Sequence, residues 1–508
     1  MADGGSHAWF GGRIFTGQRW VEALLVERGR VAAAGSDTQV RRVRGTGTDQ
    51  TQLGGRLVIP GLIDPHLHWL GSVVDAAGVD LRGVRTIATI QERLTGAGHR
   101  NPGGPLLGSG WDQERLDEQR YPVRSDLDRV EPRRPVVLYR VCHHAAVVNS
   151  AALEAVGIQR STPDPPGGRI GRDATGEPNG LLFDRAMRGL RDLSVDTFVA
   201  RAAEARGFLG TLAGRGLTSV GAMSAVPREV AMAQAMTAEG PLPVRLRFHL
   251  LAEQWDGRVG TSRTDAARPQ LIGLKIVLDG SLGARTAWLS EPYRDAPAES
   301  GMPLTSAESA TETIRAAVER GLGVAMHAIG DRAVARALDL AEQAPPGGEP
   351  VRIEHASLLS EPLVERVVRL RPVLVVQPGF VASDTWIEDR VGPDRARWAY
   401  PFRDLLARGV PLAGSSDAPI ESYDPWVGME VACRLGRLSA TQAVRLYTEG
   451  GATALHEPSL GNLEPGGHGD VVVLDAPDLE RAVAAGGPVA EVWANGACIH
   501  AAFPPASP

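Results

Sequence analysis

Leu274-Lys275-Ile276-Val277-Leu278-Asp279-Gly280 is an apolar run of strand length, flanked by Gly273 and closed by Gly280, with a lysine set inside it. Short, nearly continuous apolar segments of this kind mark strands buried on both faces of a parallel sheet. Of the 54 Lys and Arg residues in the chain, this is the one lysine. A general drift toward arginine explains the scarcity but not the address, because a surface charge does not choose a buried strand. Guanidinium stays protonated at any accessible pH. A buried amine can lose its proton and serve as a nucleophile, a Schiff-base former or an acceptor of CO2 that becomes a carbamate. Lys275 is therefore read as a chemical residue rather than a survivor.

Working outward, candidate strands at 57–63, 217–222, 244–251, 272–278, 323–327, 351–355, 373–377 and 410–416 alternate with amphipathic helical stretches, the pattern of βα units. Eight such strands predict an α/β fold, a closed (β/α)8 TIM-like barrel within residues 56–455, with its active site at the C-terminal strand ends. The first two strands stand about 150 residues apart, where a βα connection needs far fewer. An inserted domain over 72–190, after the first barrel strand, is expected to cover the barrel mouth. It is rich in Gly, Pro and Arg and contains Gly108-Ser109-Gly110-Trp111-Asp112-Gln113 and the strand-like Val136-Val137-Leu138-Tyr139-Arg140. Residues 1–55 and 456–503 carry short β-rich runs with glycine turns, neither large enough to fold alone. They are expected to pair into one small β-sandwich domain built from both termini.

At 508 residues the chain exceeds what one core usually serves, which fits a barrel with smaller units attached. The formal net charge of −6 and the lack of a basic cluster argue against nucleic acid or an anionic membrane as partners. A small-molecule substrate is expected, with a homodimer as the candidate assembly. The N-terminal stretch has neither a positive nor an apolar signal region, and no uncharged run of about 18 residues follows it, so a cytoplasmic location is expected. Cys142, Cys433 and Cys498 form no CxxC pair and imply neither a disulfide framework nor a cysteine zinc site.

The first strand ends Ile63-Asp64-Pro65-His66-Leu67-His68, and residues i and i+2 of an extended chain share a face, so His66 and His68 can reach one ion. Zinc suits two imidazoles at that spacing, with manganese or iron next. His327 and His355 each end a later strand, one βα unit apart, and Asp417 ends the last. Each residue alone is more often core or surface than ligand. Together they place four His, one Lys and one Asp at five strand ends. His66, His68 and Asp417 can hold one metal, His327 and His355 a second, and a carbamate on Lys275 can bridge them. Metal ions lower the pKa of water from about 15.7 toward 7. Asp417 can take a proton from that water and pass it to a leaving nitrogen, which gives hydrolysis of a C–N bond at a polarised carbonyl.

With these residues in place, the chain resembles the amidohydrolase superfamily, within it the branch of amidohydrolase family 3 that includes N-substituted formamide deformylases. The matching phrases run along nearly the whole chain: PGLIDPHLH, GWDQ, VVNSAAL, PPGGRIGRD, GEPNGLLFD, LKIVLDGSLGARTAWL, MHAIGDRAV, RIEHASLL, GSSDAPIES and LGNLEPGGHGDVVVLD. The resemblance implies a hydrolase using one or two divalent ions, with His66, His68, Lys275, His327, His355 and Asp417 at the metal site and a β domain split between the termini. Where many relatives have Asp-Gly-His, this chain has Cys142-His143-His144. His144 matches the family's histidine.

Trp111, Asp112, His144, Arg285 and Tyr293 are the substrate-side candidates. Arg285 follows the Lys275 strand in a Gly-rich loop where backbone can approach closely, and a structural ion pair is its equal alternative. Asp331 is expected to cap the helix after its strand. Arg352 and Glu354, which flank His355, are expected as a salt bridge behind the barrel, with support of a metal ligand as the alternative. The function expected is hydrolysis of an N-substituted formamide, small amide or cyclic amide. The alternatives are a metal-dependent deaminase, a Schiff-base lyase using Lys275, which leaves the histidines idle, and a ligand-binding barrel without catalysis.

Overall fold

The run from Leu57 to Leu67 divides between two sheets, and that division sets the architecture. A computed structural model of the chain describes residues 5–502 apart from 101–103, 142, 191–192, 194–201, 258–267, 346–348 and 350. Eight parallel strands follow one another around a single sheet: β1 (Leu62–Leu67), β2 (Leu217–Ala225), β3 (Arg245–Leu251), β4 (Gln270–Val277), β5 (Gly323–Ala328), β6 (Arg352–His355), β7 (Val373–Val376) and β8 (Leu412–Gly414). The seam between β8 and β1 is closed beyond the strands themselves. The Asp417 amide donates to the His66 carbonyl at 2.8 Å, and the His68 amide to the Ala418 carbonyl at 2.7 Å. The result is a TIM-like barrel.

Helices run outside the strands because their apolar positions repeat at helical spacing. In Asp331–Gln343 the buried Ala333, Val334, Ala337, Leu338 and Leu340 make one stripe against the barrel. Among the described residues no helix is long and apolar enough to cross a membrane.

The expected first barrel strand, 57–63, is two elements. Leu57–Pro60 pairs in parallel with Arg13–Phe15 and antiparallel with Val471–Leu474, inside the six-stranded sheet that unites the two ends of the chain. Only from Leu62 does the run enter the barrel. Gly61 is the joint: its amide donates to the Asp470 carbonyl at 2.8 Å. A Cβ there would meet Thr218 Oγ1 at 2.4 Å and the Asp470 Cβ at 2.8 Å, so no other residue fits without displacing one of the two domains. A four-stranded sheet of Ser6–Phe10, Ala23–Glu27, Arg30–Gly35 and Asp49–Gln52 faces the first. Trp9, Leu24, Val26, Val58, Val471 and Val473 fill the space between them, as in a small sandwich.

A buried ion pair fastens this sandwich to the base of the barrel. Arg245, at the start of β3, holds Asp470 through both guanidinium ends, one contact at 2.9 Å, and the Asn495 amide donates to the same carboxylate at 3.0 Å. Both side chains are only 3% exposed. Arg245→Met leaves the carboxylate buried without its counter-charge and is expected to cost about 3–5 kcal/mol of stability. Urea unfolding checks this, and Arg245→Met with Asp470→Asn should recover most of the loss. A single variant as stable as the parent removes the pair from the joint.

The insertion after β1 builds its own six-stranded sheet, ordered Gly168–Arg172, Pro178–Asp184, Ala145–Val148, Val136–Arg140, Leu106–Trp111, Val79–Asp80. Its loops hang over the C-terminal ends of the barrel strands.

Candidate metal centre

His66, Lys275, His327, His355 and Asp417 are all buried and line one cavity at the barrel mouth, and His68 borders it, half-buried. Ligand atoms of His66, His355 and Asp417 lie within 4.8 Å of one another. Asp417 Oδ1 is 3.2 Å from His66 Nε2 and 3.1 Å from His68 Nε2, and neither contact is aligned as a hydrogen bond. Lone pairs that converge without bonding to each other suit a shared cation. The two expected ligand groups are not separate. The His355 ring centroid is 5.1 Å from that of His66 and 4.5 Å from that of His327, so His355 joins them.

Left-handed backbone makes this convergence possible. His355, Ala356 and Asp417 have φ of 69°, 44° and 56°, a region that non-glycine residues rarely adopt. Neighbours in a strand face opposite ways, yet Glu354 and His355 both come to His66, because the chain turns left-handed at His355. Such strain persists where surrounding structure fixes it, and it gathers at functional sites.

Two of the imidazoles are aimed by a second group. Glu354 Oε2 sits 2.5 Å from His66 Nδ1, and Arg352 Nε donates to Glu354 Oε1 at 2.7 Å. Burial opposes the charge of Glu354, but the Arg352 guanidinium holds its carboxyl well below the usual range. An ionised Glu354 accepts from Nδ1–H and leaves the His66 Nε2 lone pair turned to Asp417. The salt bridge expected behind the barrel is thus also the support of a candidate ligand. His355 Nδ1 is 2.8 Å from Gln377 Oε1, whose amide donates to Ser415 Oγ at 2.9 Å. Burial pushes the His355 imidazole down to about 3 and that of His327 well below its usual value, so both are neutral, as metal ligation requires. Gln377 was not marked in the sequence, and Glu354 was named there only as the alternative support of a metal ligand, without His66 as its partner.

Lys275 Nζ is buried with no hydrogen-bond partner among the described residues, and burial lowers its pKa to about 8. A bare amine in that position is costly. The unmet amine beside the converging imidazoles and carboxylate makes a donor set that fits a divalent ion.

The model of the amidohydrolase family matches residues 51–500. The chain belongs to the amidohydrolase family. YtcJ of Bacillus subtilis, itself a candidate amidohydrolase, is 36% identical over 501 residues, covering 92% of this chain and 93% of its own. The N-substituted formamide deformylase of Arthrobacter pascens is 28% identical over 496 residues, covering 91% of each. The crystal structure of an uncharacterized metal-dependent hydrolase from Pyrococcus horikoshii superposes with a TM-score of 0.78 at 33% identity, covering 93% of this chain and 98% of the other.

In this amidohydrolase the cavity measures about 980 Å3 and is walled on one side by the inserted domain. Asp112 and His144, two of the substrate-side candidates, line it. Asp112 Oδ1 accepts from the buried Arg140 at 2.7 Å, and His144 Nδ1 lies 2.7 Å from Asp184 Oδ1. His143 lines it too, stacked on Tyr139 at 5.2 Å. Cys142 lies outside the described residues.

Three substrate-side expectations are corrected. Trp111 is fully buried in the core of the inserted domain, its indole donating to the Leu138 carbonyl at 2.8 Å. Tyr293 is 1% exposed and donates to the Ala287 carbonyl at 2.8 Å, within a cluster beside the barrel mouth. Arg285 takes its alternative, a structural ion pair with Asp295 at 2.8 Å, and does not line the cavity. Asp331 is the first residue of its helix rather than its cap, and its carboxylate accepts from the Ser290 amide at 3.0 Å.

Proposed function

We propose that this amidohydrolase cleaves a non-peptide C–N bond of a small amide, N-substituted formamide or cyclic amide, with zinc as the metal and Lys275 carried as a carbamate. The observation that carries the proposal is the partnerless Lys275 Nζ facing the converging His66, His355 and Asp417. The Arthrobacter pascens relative, a formamide deformylase, supports the substrate class. When bound, a divalent metal supplies Lewis acidity that polarises a carbonyl and acidifies water.

The chain's own residues do the rest. Glu354 fixes the proton of His66 on Nδ1, Gln377 orients His355, and a carbamate on Lys275 would join His66, His355 and Asp417 in holding the metal. A carboxylate oxygen of Asp417 accepts a proton from the attacking water. As the water oxygen bonds to the carbonyl carbon and the C–N bond breaks, Asp417 gives that proton to the departing nitrogen, which leaves as the amine. The products are a carboxylic acid and an amine.

Elemental analysis of protein purified with zinc and bicarbonate is expected to find about one or two ions per chain. Amine release should be measurable across a panel of formamides and small amides, lost on chelation and restored by zinc. Protein without metal under these conditions, and without hydrolysis, rejects the proposal.

A further inference from the structure

Strands β1, β4, β5, β6 and β8 bring the candidate ligands to the cavity. The neighbours β2 and β3, which stand between β1 and β4 in the sheet, end differently. Met223, near the end of β2, and Leu251, the last residue of β3, line the same cavity. Leu251 is paired in register with Lys275, and Met223 follows Ala222, the partner of Leu67 between His66 and His68. One sector of the ring around the metal centre is thus apolar at the level where the rest carries ligands.

That sector is walled. Val277, paired in register with His327, continues it along β4. Met187 of the inserted domain and Leu304 of the segment after β4 complete its lining. The Leu304 amide donates to the Leu278 carbonyl at 2.8 Å, and its side chain is buried. Arg185 ties the three segments together. It forms an ion pair with Glu253, two residues beyond Leu251, and donates to Thr305 Oγ1, beside Leu304, at 3.1 Å. Both members of the ion pair border the cavity, so the apolar lining ends at a charged rim.

The cavity of about 980 Å3 stands at the upper end of the range, about 300–1,000 Å3, spanned by pockets for drug-sized ligands. A formamide with a short substituent would leave most of it to water, and water against these side chains is unfavourable. On another side the carboxylates of Asp384 and Glu421 border the cavity, beyond β7 and β8. An apolar group is therefore better placed over β2 and β3.

We infer that Met223, Leu251, Val277, Met187 and Leu304 form an apolar slot for the N-substituent of the substrate, and that they select formamides with an extended apolar chain over those with a short or charged one. The inference rests on the hydrolase reading above and narrows its substrate class. Specificity of this kind grows with each methylene removed from water, and it ends where the chain meets the Arg185–Glu253 rim.

The test compares N-methylformamide, N-butylformamide and N-(3-aminopropyl)formamide on the zinc-loaded protein. The parent should favour the butyl over the methyl compound by at least about eightfold in kcat/KM, about two- to fourfold per methylene. The aminopropyl compound, of similar length with a terminal ammonium, should fall below the butyl one. Leu251→Gln places an amide in the slot and should cut the butyl-to-methyl ratio to about two or less. Leu251→Trp fills the slot and should bring the ratio below one. Each ratio is taken on one preparation, so it does not depend on how much of a variant folds. Equal rates for the methyl and butyl compounds in the parent, an aminopropyl compound that outpaces the butyl one, or a ratio unchanged in both variants overturns the inference. A parent that hydrolyses none of the three defeats the hydrolase reading for this series. Calorimetric titration of the same compounds into the zinc-loaded protein then decides the slot: affinity that rises from methyl to butyl in the parent and stays level in Leu251→Gln supports it, and level affinity in the parent overturns it.

Discussion

Lys275→Met, purified with zinc and bicarbonate, is expected to lose turnover by at least about a thousandfold, equivalent to about 4 kcal/mol of barrier, while its metal-free form melts no lower than the metal-free parent. The two halves of that result have one cause. Lys275 Nζ is buried and has no hydrogen-bond partner among the described residues, so a thioether of similar length removes an unsatisfied polar group and fills the same space. What it cannot do is take up CO2. The pKa of about 8 leaves free amine available near neutral pH for carbamate formation, and methionine and arginine both lack it. Metal per chain should fall with the activity. Lys275→Ala opens room beside the centre, and a short carboxylate such as propionate, supplying the two oxygens from solution, should restore part of both. A fully active Lys275→Met ends the carbamate proposal.

Asp417→Asn should separate proton transfer from metal binding. The amide keeps the shape of the side chain and the left-handed turn at this position, which asparagine adopts readily, so the seam bonds from Asp417 to His66 and from His68 to Ala418 survive. His66, His355 and Lys275 remain to hold metal. Turnover should nevertheless fall by about a thousandfold, because the amide cannot accept the proton of the attacking water. An elemental analysis close to the parent with turnover lost supports the assignment. An unchanged rate removes Asp417 as the proton carrier.

The barrel was legible because its ligand residues close apolar runs, and in a barrel the C-terminal end of a strand is where such residues meet. His327, His355 and Asp417 could be located by that rule alone. Leu57–Pro60 could not, since a continuous apolar run carries no sign of where it changes sheets, and Gly61 was the single hint. Trp111 and Tyr293 were misplaced for a different reason. A large aromatic residue with a polar tip looks the same in sequence whether the tip bonds a substrate or a backbone carbonyl, and here each finds a carbonyl in the core. Glu354 was half-read: strand alternation sets it against His355, and only the left-handed φ at His355 lets both reach His66. Asp184 closes the quoted phrase GEPNGLLFD, but its partner lies across a ladder that one sequence does not reveal.

The joint at Gly61 also fixes an order of events during synthesis. Leu57–Pro60 leads directly into the strand that bears His66 and His68, and it pairs along its length with Val471–Leu474. A growing polypeptide therefore carries its first two histidine ligands on a strand whose upstream anchor can pair early with Arg13–Phe15 on one side but lacks its second partner until nearly all of the chain has left the ribosome. The earliest part of the metal centre to be made is among the last to be secured.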